Sequence, residues 1–526
     1  MKINNFYRGA AVPVIAVALI FVSTVFAAKP SVALRVLGTY AAGIYNQGAS
    51  EIVAYDAATQ RLFAVNGATS KIDVLSIANP SAPVLLFSIE LAAYGRQANS
   101  VDVKNGIVAA AVEANVKTDN GKVVFFDANG NYLNQVTVGA LPDMVTFTPD
   151  GRKVLVANEG EPNNDYTIDP QGSVSIVDIS GGVANATVAF AGFEAFNNAA
   201  LDTSIRIFGP NATVAQDLEP EYITVNHNSK TAWVTLQENN AVGILDLQTG
   251  EFVELVGLGF KNHNLAGNEL DASDRDNAIN IRNWQLFGMY QPDGIASFKI
   301  KNDTFLITAN EGDAREYPGT PGYVEEVRVS SLALDPVVFP NAAFLKMNAN
   351  LGRLNVSKAS GNFGGDADYD ALYAFGARSF SILTASGERI YDSGDDIERI
   401  TAQTYPSFFN ASNTNNTFDD RSDNKGPEPE GVTVGKAYGR NYAFIGLERI
   451  GGVMVYEVTN PRAPEFIQYI NNRNFLAATN TAAAKDLGPE GLHFISADDS
   501  PTGKPLLVVA NEISGTTTVY EVVQVR

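Results

Sequence analysis

The chain has 526 residues, no cysteine and a formal charge of −21 at neutral pH. A chain this acidic is repelled by nucleic acid and by anionic membrane surfaces, so neither is expected as a partner. Without cysteine there are no disulfides, and the protein must be stabilised by a large core or by bound ions.

The first residues have the pattern of a secretory signal peptide. Two basic residues precede an apolar run from Ala10 to Val25, and Ala27 fits a small-residue cleavage site. We therefore predict that residues 1–27 are removed on export and that residues 28–526 form the mature protein, with a charge of −23. A single membrane anchor is the alternative, but about 16 apolar residues fall short of the roughly 20 that span a bilayer.

Short β-rich runs separated by Gly, Asn, Asp and Pro recur along the mature chain, and few stretches have helical periodicity. Their alignment gives seven units, each with a polar start, a strand, a turn, a second strand ending in Asn or Glu, and a third strand. The units begin at Ser50, Asn99, Pro142, Glu219, Pro292, Pro429 and Pro489. The pattern predicts an all-β fold, a single seven-bladed β-propeller.

The ring has a predicted closure and several predicted insertions. The seventh unit ends with its third strand, so we expect the segment from Ser31 to Tyr40 to supply its outer strand and close the ring. The extra length between units is predicted to form loops at 181–216, 262–290, 317–369 and 403–425. A small separate domain within 317–369 is an open alternative.

Each unit carries polar residues at two positions that share one end of a blade. The first strand runs down the central channel and the second returns antiparallel, so the start of one lies beside the end of the other. The carboxylate pairs predicted in this way are Asp143 with Glu159, Glu221 with Glu238, Asp293 with Glu311, Glu430 with Glu448, and Glu490 with Glu512. Glu51 with Asn66, and Asn99 with Glu113, complete the set.

Such a rim of like charges raises carboxyl pKa values or recruits cations. Few basic residues lie nearby in the sequence, so we predict that all ten paired carboxylates are ligands of bound cations. Oxygen ligands without cysteine indicate Ca²⁺ first, with Mg²⁺ or Mn²⁺ as alternatives, rather than Zn²⁺ or Cu.

A proline precedes the first carboxylate in five of the seven units. It fixes its own φ and favours an extended conformation in the residue before it, so the carboxylate is expected to enter the strand at a defined angle. The competing interpretation is that the rim is held by structural ion pairs, with Arg315 or Arg449 neutralising Glu311 or Glu448.

A second candidate metal site is the alternating run Asp366, Asp368 and Asp370. It matches the start of a calcium loop, but Ala371 and Ala377 stand where an EF-hand has Gly and the bidentate Glu. The run is therefore not an EF-hand, and a calcium loop of another kind remains open.

Sequence motifs for other chemistry are missing. There is no G-x-S-x-G elbow, no P-loop and no H-E-x-x-H, and the three histidines are spread over separate units. Any hydrolysis would therefore have to be metal-assisted.

Several long strings, among them "LPDMVTFTPDGRKVLVANEGEP", "ANEGDAREY", "RSDNKGPEPEGVTVG" and "LERIGGVMVYEVTNP", resemble the choice-of-anchor I family from about Val36 to Val525. That family includes mesenchyme-specific cell-surface glycoproteins and atypical bacterial alkaline phosphatases. The resemblance implies an exported β-propeller, with phosphatase activity and calcium association in some relatives. Many relatives carry a C-terminal anchor; this chain ends at "YEVVQVR", which favours a secreted or periplasmic bacterial protein.

Two functions follow as hypotheses. In the first, the protein is a monomeric binding or structural propeller whose rim holds Ca²⁺ and presents a surface to an extracellular polymer. In the second, ions on the rim assist hydrolysis of phosphate esters. Asp293 and Glu430 would then be the catalytic candidates, and Arg315 or Arg449 would hold the phosphate, because the guanidinium fork matches phosphate oxygens.

Overall fold

The computed structural model describes Met1 and residues 31–525, so the apolar core and cleavage site of the predicted signal peptide lie outside the described residues. Strand β1 spans Ser31–Ala41. Four-stranded antiparallel sheets then follow one another along the chain, and we number them sheets 1 to 7.

The first four sheets each consist of four consecutive strands. Sheet 1 contains β2 (Val53–Asp56), β3 (Arg61–Asn66), β4 (Lys71–Ser76) and β5 (Val84–Glu90). Sheet 2 contains β6 (Ala98–Lys104), β7 (Ile107–Val112), β8 (Asn120–Asp127) and β9 (Tyr132–Ala140). Sheet 3 contains β10 (Pro142–Phe147), β11 (Lys153–Asn158), β12 (Ser173–Asp178) and β13 (Thr187–Gly192). Sheet 4 contains β14 (Pro220–Val225), β15 (Thr231–Leu236), β16 (Ala241–Asp246) and β17 (Glu251–Gly257).

The chain then enters a region where inserted strands alternate with those of sheet 5. In chain order the strands are β18 (Phe260–Asn262), β19 (Phe287–Met289), β20 (Ile295–Ile300), β21 (Asp303–Asn310), β22 (Glu316–Tyr317), β23 (Tyr323–Val324), β24 (Glu326–Arg328), β25 (Asn355–Ser357), β26 (Tyr373–Ala374), β27 (Ser379–Thr384) and β28 (Arg389–Asp392). Sheet 5 has the order β20-β21-β27-β28, an inserted sheet has the order β18-β19-β26-β25-β24, and β22 pairs with β23.

Sheets 6 and 7 end the fold. Sheet 6 contains β29 (Pro429–Ala437), β30 (Arg440–Leu447), β31 (Val453–Glu457) and β32 (Glu465–Ile470). Sheet 7 contains β33 (Pro489–Ile495), β34 (Leu506–Asn511) and β35 (Thr516–Val525), and β1 is its fourth strand, paired antiparallel with β35. The α-helices of the described chain are short: α1 (Val214–Asp217), α2 (Ala342–Leu345) and α3 (Asp396–Thr404).

Buried apolar clusters lie between successive sheets because the inner strands are apolar on both faces. Phe63 of sheet 1 shares a cluster with Val108 of sheet 2, and equivalent clusters join each following pair. A further cluster contains Leu62 of sheet 1 and Leu506 of sheet 7. The first strand of each sheet contacts the first strand of the next, and β33 contacts β2. The all-β fold is confirmed.

The predicted insertions differ in what they contain. Segment 181–216 was expected to be a loop, yet it includes β13, the outer strand of sheet 3. The strand was missed because its TVAFAG sequence is largely exposed and lacks the alternation of a half-buried strand. Strands from 262–290 and 317–369 join β26 in the inserted sheet, which has its own apolar core around Trp284.

Removing the packing of β1 should destabilise the protein. Leu34 is buried against the cluster between sheets 6 and 7, so Leu34→Ala is expected to lower the free energy of unfolding by about 2 to 5 kcal/mol. Urea unfolding followed by tryptophan fluorescence measures the change. The exposed Thr39→Ala in the same strand is the control, and an equal loss in the two variants would contradict the prediction.

Candidate metal centre

The paired carboxylates of a sheet lie close together because backbone hydrogen bonds join their two strands at that end of the sheet. The amide of Glu159, just after β11, donates to Leu141 O at 2.9 Å, and the amide of Glu448 donates to Glu428 O at 2.8 Å. Leu141 and Glu428 are the residues before the two prolines, so both members of each pair lie at one end of the sheet.

The first-strand carboxylates lie at β-bulges. The register between the first and second strands shifts directly after the proline in sheets 3, 4, 6 and 7. The residues left out of the ladder include Asp143, Glu221, Glu430 and Glu490. A bulge turns a side chain out of the regular alternation, which explains how these carboxylates point away from the sheet.

The extended conformation expected before the proline is wrong in four of the five units that have this proline, including the unit of Gly488 with a φ of 68°; Glu219, before Pro220, has no positive φ. Leu141, Gln291 and Glu428 have φ values of 47°, 40° and 52°. This left-handed conformation, costly for residues with a side chain, lets their carbonyls accept amides from the end of the second strand. The hydrogen bonds of the strand ends therefore outweigh the local preference of the residue before proline.

Glycines after the carboxylates bring neighbouring sheets close together. A Cβ added to Gly431 would lie 1.9 Å from Glu490 O, and one added to Gly491 would lie 2.5 Å from Glu51 O. Gly491 also donates its amide to Glu51 O at 3.1 Å. Sheets 6, 7 and 1 therefore touch backbone to backbone directly beside their carboxylates.

These carboxylates surround one cavity of about 350 Å³. Ten acidic side chains line it, and we call them the acidic ring: Asp143, Glu159, Glu221, Asp293, Glu311, Asp313, Glu430, Glu448, Glu490 and Glu512. Nine belong to the predicted pairs; Asp313 was missed, and Glu238, the tenth predicted member, lies beside Glu159 and Glu221. Lys425 and Arg449 are the two basic residues that line the same cavity.

Three groups of carboxylates in the described chain have oxygens within 4.8 Å of one another. Group one is Glu159, Glu221 and Glu238; group two is Asp293, Glu311 and Glu430; group three is Glu311, Glu428 and Glu448. Groups one and two each combine carboxylates of two neighbouring sheets, sheets 3 and 4 and sheets 5 and 6 respectively. A cation bound in either group would therefore join adjacent sheets.

Group three is neutralised by the protein's own cations. Lys425 Nζ lies 2.6 Å from Glu311 Oε1 and 3.2 Å from Glu428 Oε2. Arg449 contacts Glu428 at 2.9 Å and Glu448 at 3.0 Å, and Arg421 contacts Glu428 at 2.6 Å. Although burial opposes its ionisation, these three cations lower the pKa of Glu428. The ion-pair interpretation therefore holds for Arg449 and Glu448.

Group one has no such direct ion pairs, although the charge of Lys117 acts on Glu159 and that of Arg315 on Glu238. None of its carboxylates forms a salt bridge within residues 31–525; Glu221 is 8% exposed and Glu238 3%, and the Oε2 atoms of both have no hydrogen-bond partner. The Oε2 atoms of Glu430 and Glu490 also lack a partner. A buried charged oxygen without a partner is costly. Group one, of which Glu159 and Glu221 belong to the acidic ring, is therefore the best candidate for a cation site.

Burial and mutual repulsion raise the pKa values of most ring carboxyls, among them Asp143 and Glu221. Burial is the largest cause for Asp143, and with Glu113 and Glu238 it raises the pKa of Asp143 to about 6. Burial followed by Glu238 and Asp293 raises the pKa of Glu221 well above its usual range. A divalent cation would offset both effects, because it replaces lost hydration and screens the repulsion.

The other predicted site residues lie away from the ring. Arg315 is 1% exposed and is bound to Asp217 and Glu219, so its proposed contact with Glu311 or with a phosphate is wrong. The guanidinium of Arg315 is not available to Glu311 or to a phosphate because the residues between sheets 3 and 4 enclose it. Such long-range packing cannot be predicted from a local sequence pattern.

Asp366, Asp368 and Asp370 form a loop that is held by its own backbone. Asp370 Oδ2 accepts from the amide of Phe363 at 2.9 Å, and Asp366 Oδ1 accepts from the amide of Asp368 at 3.2 Å. They are not among the close carboxylate groups of the described residues. A calcium site here stays a prediction.

Most of the chain matches one known protein family. The choice-of-anchor I domain matches residues 51–461. The chain belongs to the choice-of-anchor I family. The resemblance predicted from the sequence is thereby confirmed, and the matched region contains strands of all sheets except sheet 7.

Two relatives and one solved structure resemble this choice-of-anchor I chain. Gigasin-3a of Magallana gigas is 34% identical over 190 residues, 34% of this chain and 66% of the relative. The mesenchyme-specific cell surface glycoprotein of Strongylocentrotus purpuratus is 27% identical over 349 residues, 60% of this chain and 42% of the relative. The β-propeller domain of Cps50 (Swd1) has a TM-score of 0.44 and 10% identity, covering 93% of this chain and all of that one. Helices long and apolar enough to cross a bilayer were not found in the described residues.

The raised pKa values predict that the cation-free choice-of-anchor I protein loses stability as pH rises. An acid whose pKa is higher in the folded than in the unfolded state stabilises the fold at low pH and loses that contribution as pH passes the folded pKa. The folded pKa values are about 6 for Asp143, about 7 for Asp313 and about 8 for Glu51. In a chelating buffer, the melting temperature should therefore fall between about pH 5 and pH 8.

Glu51→Gln provides the control for this fall, because glutamine keeps the shape of the side chain and does not titrate. The variant should show a smaller decrease between the same two pH values. A melting temperature that is constant or increases over this range in the wild-type protein would contradict the prediction.

Proposed function

We propose that this chain is a seven-bladed β-propeller that works outside the cytoplasm, secreted or periplasmic, and binds divalent cations in its acidic ring. Support for the closed seven-bladed propeller comes from the seven four-stranded sheets, from the apolar cluster that joins sheets 7 and 1, and from the pairing of β1 with β35. Support for the location comes from a relative whose name places it at the cell surface.

The observation that carries the cation proposal is group one. Three buried or half-buried carboxylates converge there without a salt bridge, and two of them have an unpartnered oxygen. All the available ligands are oxygens, which hard cations prefer. Ca²⁺ fits best because it accepts six to eight oxygens in irregular geometry, whereas Mg²⁺ demands a regular octahedron.

The role that follows is structural and binding rather than chemical. Group one spans sheets 3 and 4 and group two spans sheets 5 and 6, so bound ions would fix neighbouring blades at their inner ends. The cation-loaded face would then be a rigid surface for an extracellular polymer or partner.

The variant Glu221→Gln distinguishes a cation-binding role of this carboxylate from a contribution to stability alone. Glutamine removes one ligand charge and also removes repulsion, so Ca²⁺ affinity should fall about tenfold or more while the chelated protein melts no lower than wild type. Isothermal titration and thermal melting measure the two effects. Glu251→Gln, on the exposed outer strand of the same sheet, is the matched control and should bind Ca²⁺ as wild type does. Absence of both binding heat and melting shift in wild type would refute the proposal.

Metal-assisted phosphate ester hydrolysis is the second candidate function. The observation that favours it is that Arg449, about a quarter exposed, lines the same cavity as Asp293 and Glu430 of group two. A cation held there would supply charge for binding phosphate, and Arg449 is the guanidinium placed to contact it. Arg449 would first have to leave Glu428 and Glu448, which weakens this candidate.

Turnover of p-nitrophenyl phosphate and bis-p-nitrophenyl phosphate tests the second candidate. Assays with Ca²⁺, Mg²⁺ or Mn²⁺ at neutral and alkaline pH should show metal-dependent hydrolysis that Asp293→Asn or Glu430→Gln abolishes while folding is retained. Hydrolysis no faster than background with every metal would exclude the enzyme function and leave the binding role.

A further inference from the structure

A second set of buried acids lies outside the acidic ring, where segment 271–280 meets segment 409–424. Asp271 is fully buried, Glu398 of α3 is 1% exposed and Asp419 is 2% exposed. None of them was predicted from the sequence, because they come from three distant parts of the chain.

One hydrogen-bonded network connects these acids, Asp271 through its backbone amide and the other two through their carboxylates. The amide of Asp271 donates to Glu398 Oε2 at 3.1 Å. Asn410 Nδ2 donates to Glu398 Oε1 at 3.0 Å and to Ser422 Oγ at 2.8 Å. Ser422 Oγ donates to Asp419 Oδ1 at 2.5 Å. The acids therefore belong to a single buried cluster, which we call the interloop cluster: Asp271, Glu398, Asn410, Asp419 and Ser422.

One cation of the protein contacts this cluster. Arg378 Nη1 lies 2.6 Å from Glu398 Oε1 and 2.6 Å from the carbonyl of Asp271, and Nη2 donates to the carbonyls of Ser422 and Asn424. Three carboxylates against one guanidinium leave two negative charges when all are ionised. Uncompensated buried charge costs several kcal/mol per ion, so such a balance calls for a further cation.

Two oxygens of the cluster have no hydrogen-bond partner. They are Asp419 Oδ2 and Asn410 Oδ1, and Asn410 is fully buried. The amide nitrogen of Asn410 is used twice within the cluster, so its orientation is fixed with the carbonyl oxygen left over. Unpartnered buried oxygens are rare in native proteins, and a cation satisfies several of them at once.

We infer that the interloop cluster is a second divalent-cation site, with Asp419 and Asn410 as ligands and Asp271 as the second negative charge. The donors are carboxylate and amide oxygens, which excludes soft metals. Because the ligands are almost completely buried, the site favours Ca²⁺ over Mg²⁺, which is reluctant to lose its waters. The inference does not depend on the acidic ring, because it uses none of its residues.

The charge environment agrees with this assignment. Burial, followed by the charge of Asp271, raises the pKa of Asp419 to about 8. Burial also raises the pKa of Asp271 to about 7, although amide donation from Asn280 opposes this, and Glu398 adds repulsion. Asp276, which bonds Asn280, is the other nearby acid acting on both.

A cation here would link the insertion at 262–290 to the one at 403–425. The insertion at 403–425 also contains Arg421 and Lys425, which bind Glu428 and Glu311 at the acidic ring. The cation would thus fix the segment that supplies the ring with its own positive charges.

Luminescence of Tb³⁺ used in place of Ca²⁺ tests the site. Trp284 Nε1 donates to the carbonyl of Leu270, next to Asp271, so Trp284 is placed to sensitise a bound Tb³⁺. Tryptophan-excited emission should appear in wild type, disappear in Trp284→Phe, and require about tenfold more Tb³⁺ or more in Asp419→Asn. Added Ca²⁺ should compete the emission away.

Asp420→Asn is the matched control, since it removes the neighbouring half-buried charge and should leave emission unchanged. Emission at wild-type affinity in a folded Asp419→Asn variant would overturn the inference. If that variant does not fold, hydrogen exchange of the wild-type protein decides: Ca²⁺ should slow amide exchange in 271–280 and 409–424, and unchanged exchange there would equally overturn it.

Discussion

Repulsion between carboxylates is the constraint on which the rest of this structure depends. The first strands of seven sheets lie side by side, and most begin with an acid that a bulge turns away from the sheet. The closer the sheets pack, the closer these charges come. Glycine contacts such as that of Gly431 with Glu490 show that the sheets do pack to backbone distance. The charge therefore has to be offset locally, by protons, by basic side chains or by ions.

The protein offsets this charge unevenly around the ring. On the side of sheets 5 and 6, Lys425, Arg421 and Arg449 enclose Glu428 and reach Glu311 and Glu448. On the side of sheets 3 and 4, the ammonium of Lys117 forms its salt bridge with Glu161, although its charge also acts on Glu159. The two sides thus offer different environments to a solute entering the cavity: among the described residues, direct ion pairs with basic side chains hold Glu311 and Glu448 on one side, and Glu159 and Glu221 on the other side have none.

The features that depend on local repeat geometry could be predicted from the sequence. Strand order within a hairpin determines which residues share an end, so nine ring acids followed from periodicity alone. Arg449 beside Glu448 was also predicted, but Lys425 was not, because it belongs to an insertion whose position depends on long-range packing. Arg315 failed for the same reason, since its burial against Asp217 comes from the connection between two sheets. The interloop cluster combines distant segments, and no spacing in the sequence could have indicated it.

The pairing of β1 with β35 has a mechanical consequence. Ser31 and Val525 face each other at one end of this antiparallel ladder. A force applied through these two residues would open the ladder one residue pair at a time, instead of loading all of its hydrogen bonds together as in shear. Tension between the two ends of the described chain would thus first detach the strand that completes sheet 7, and the other six sheets would carry little of the load.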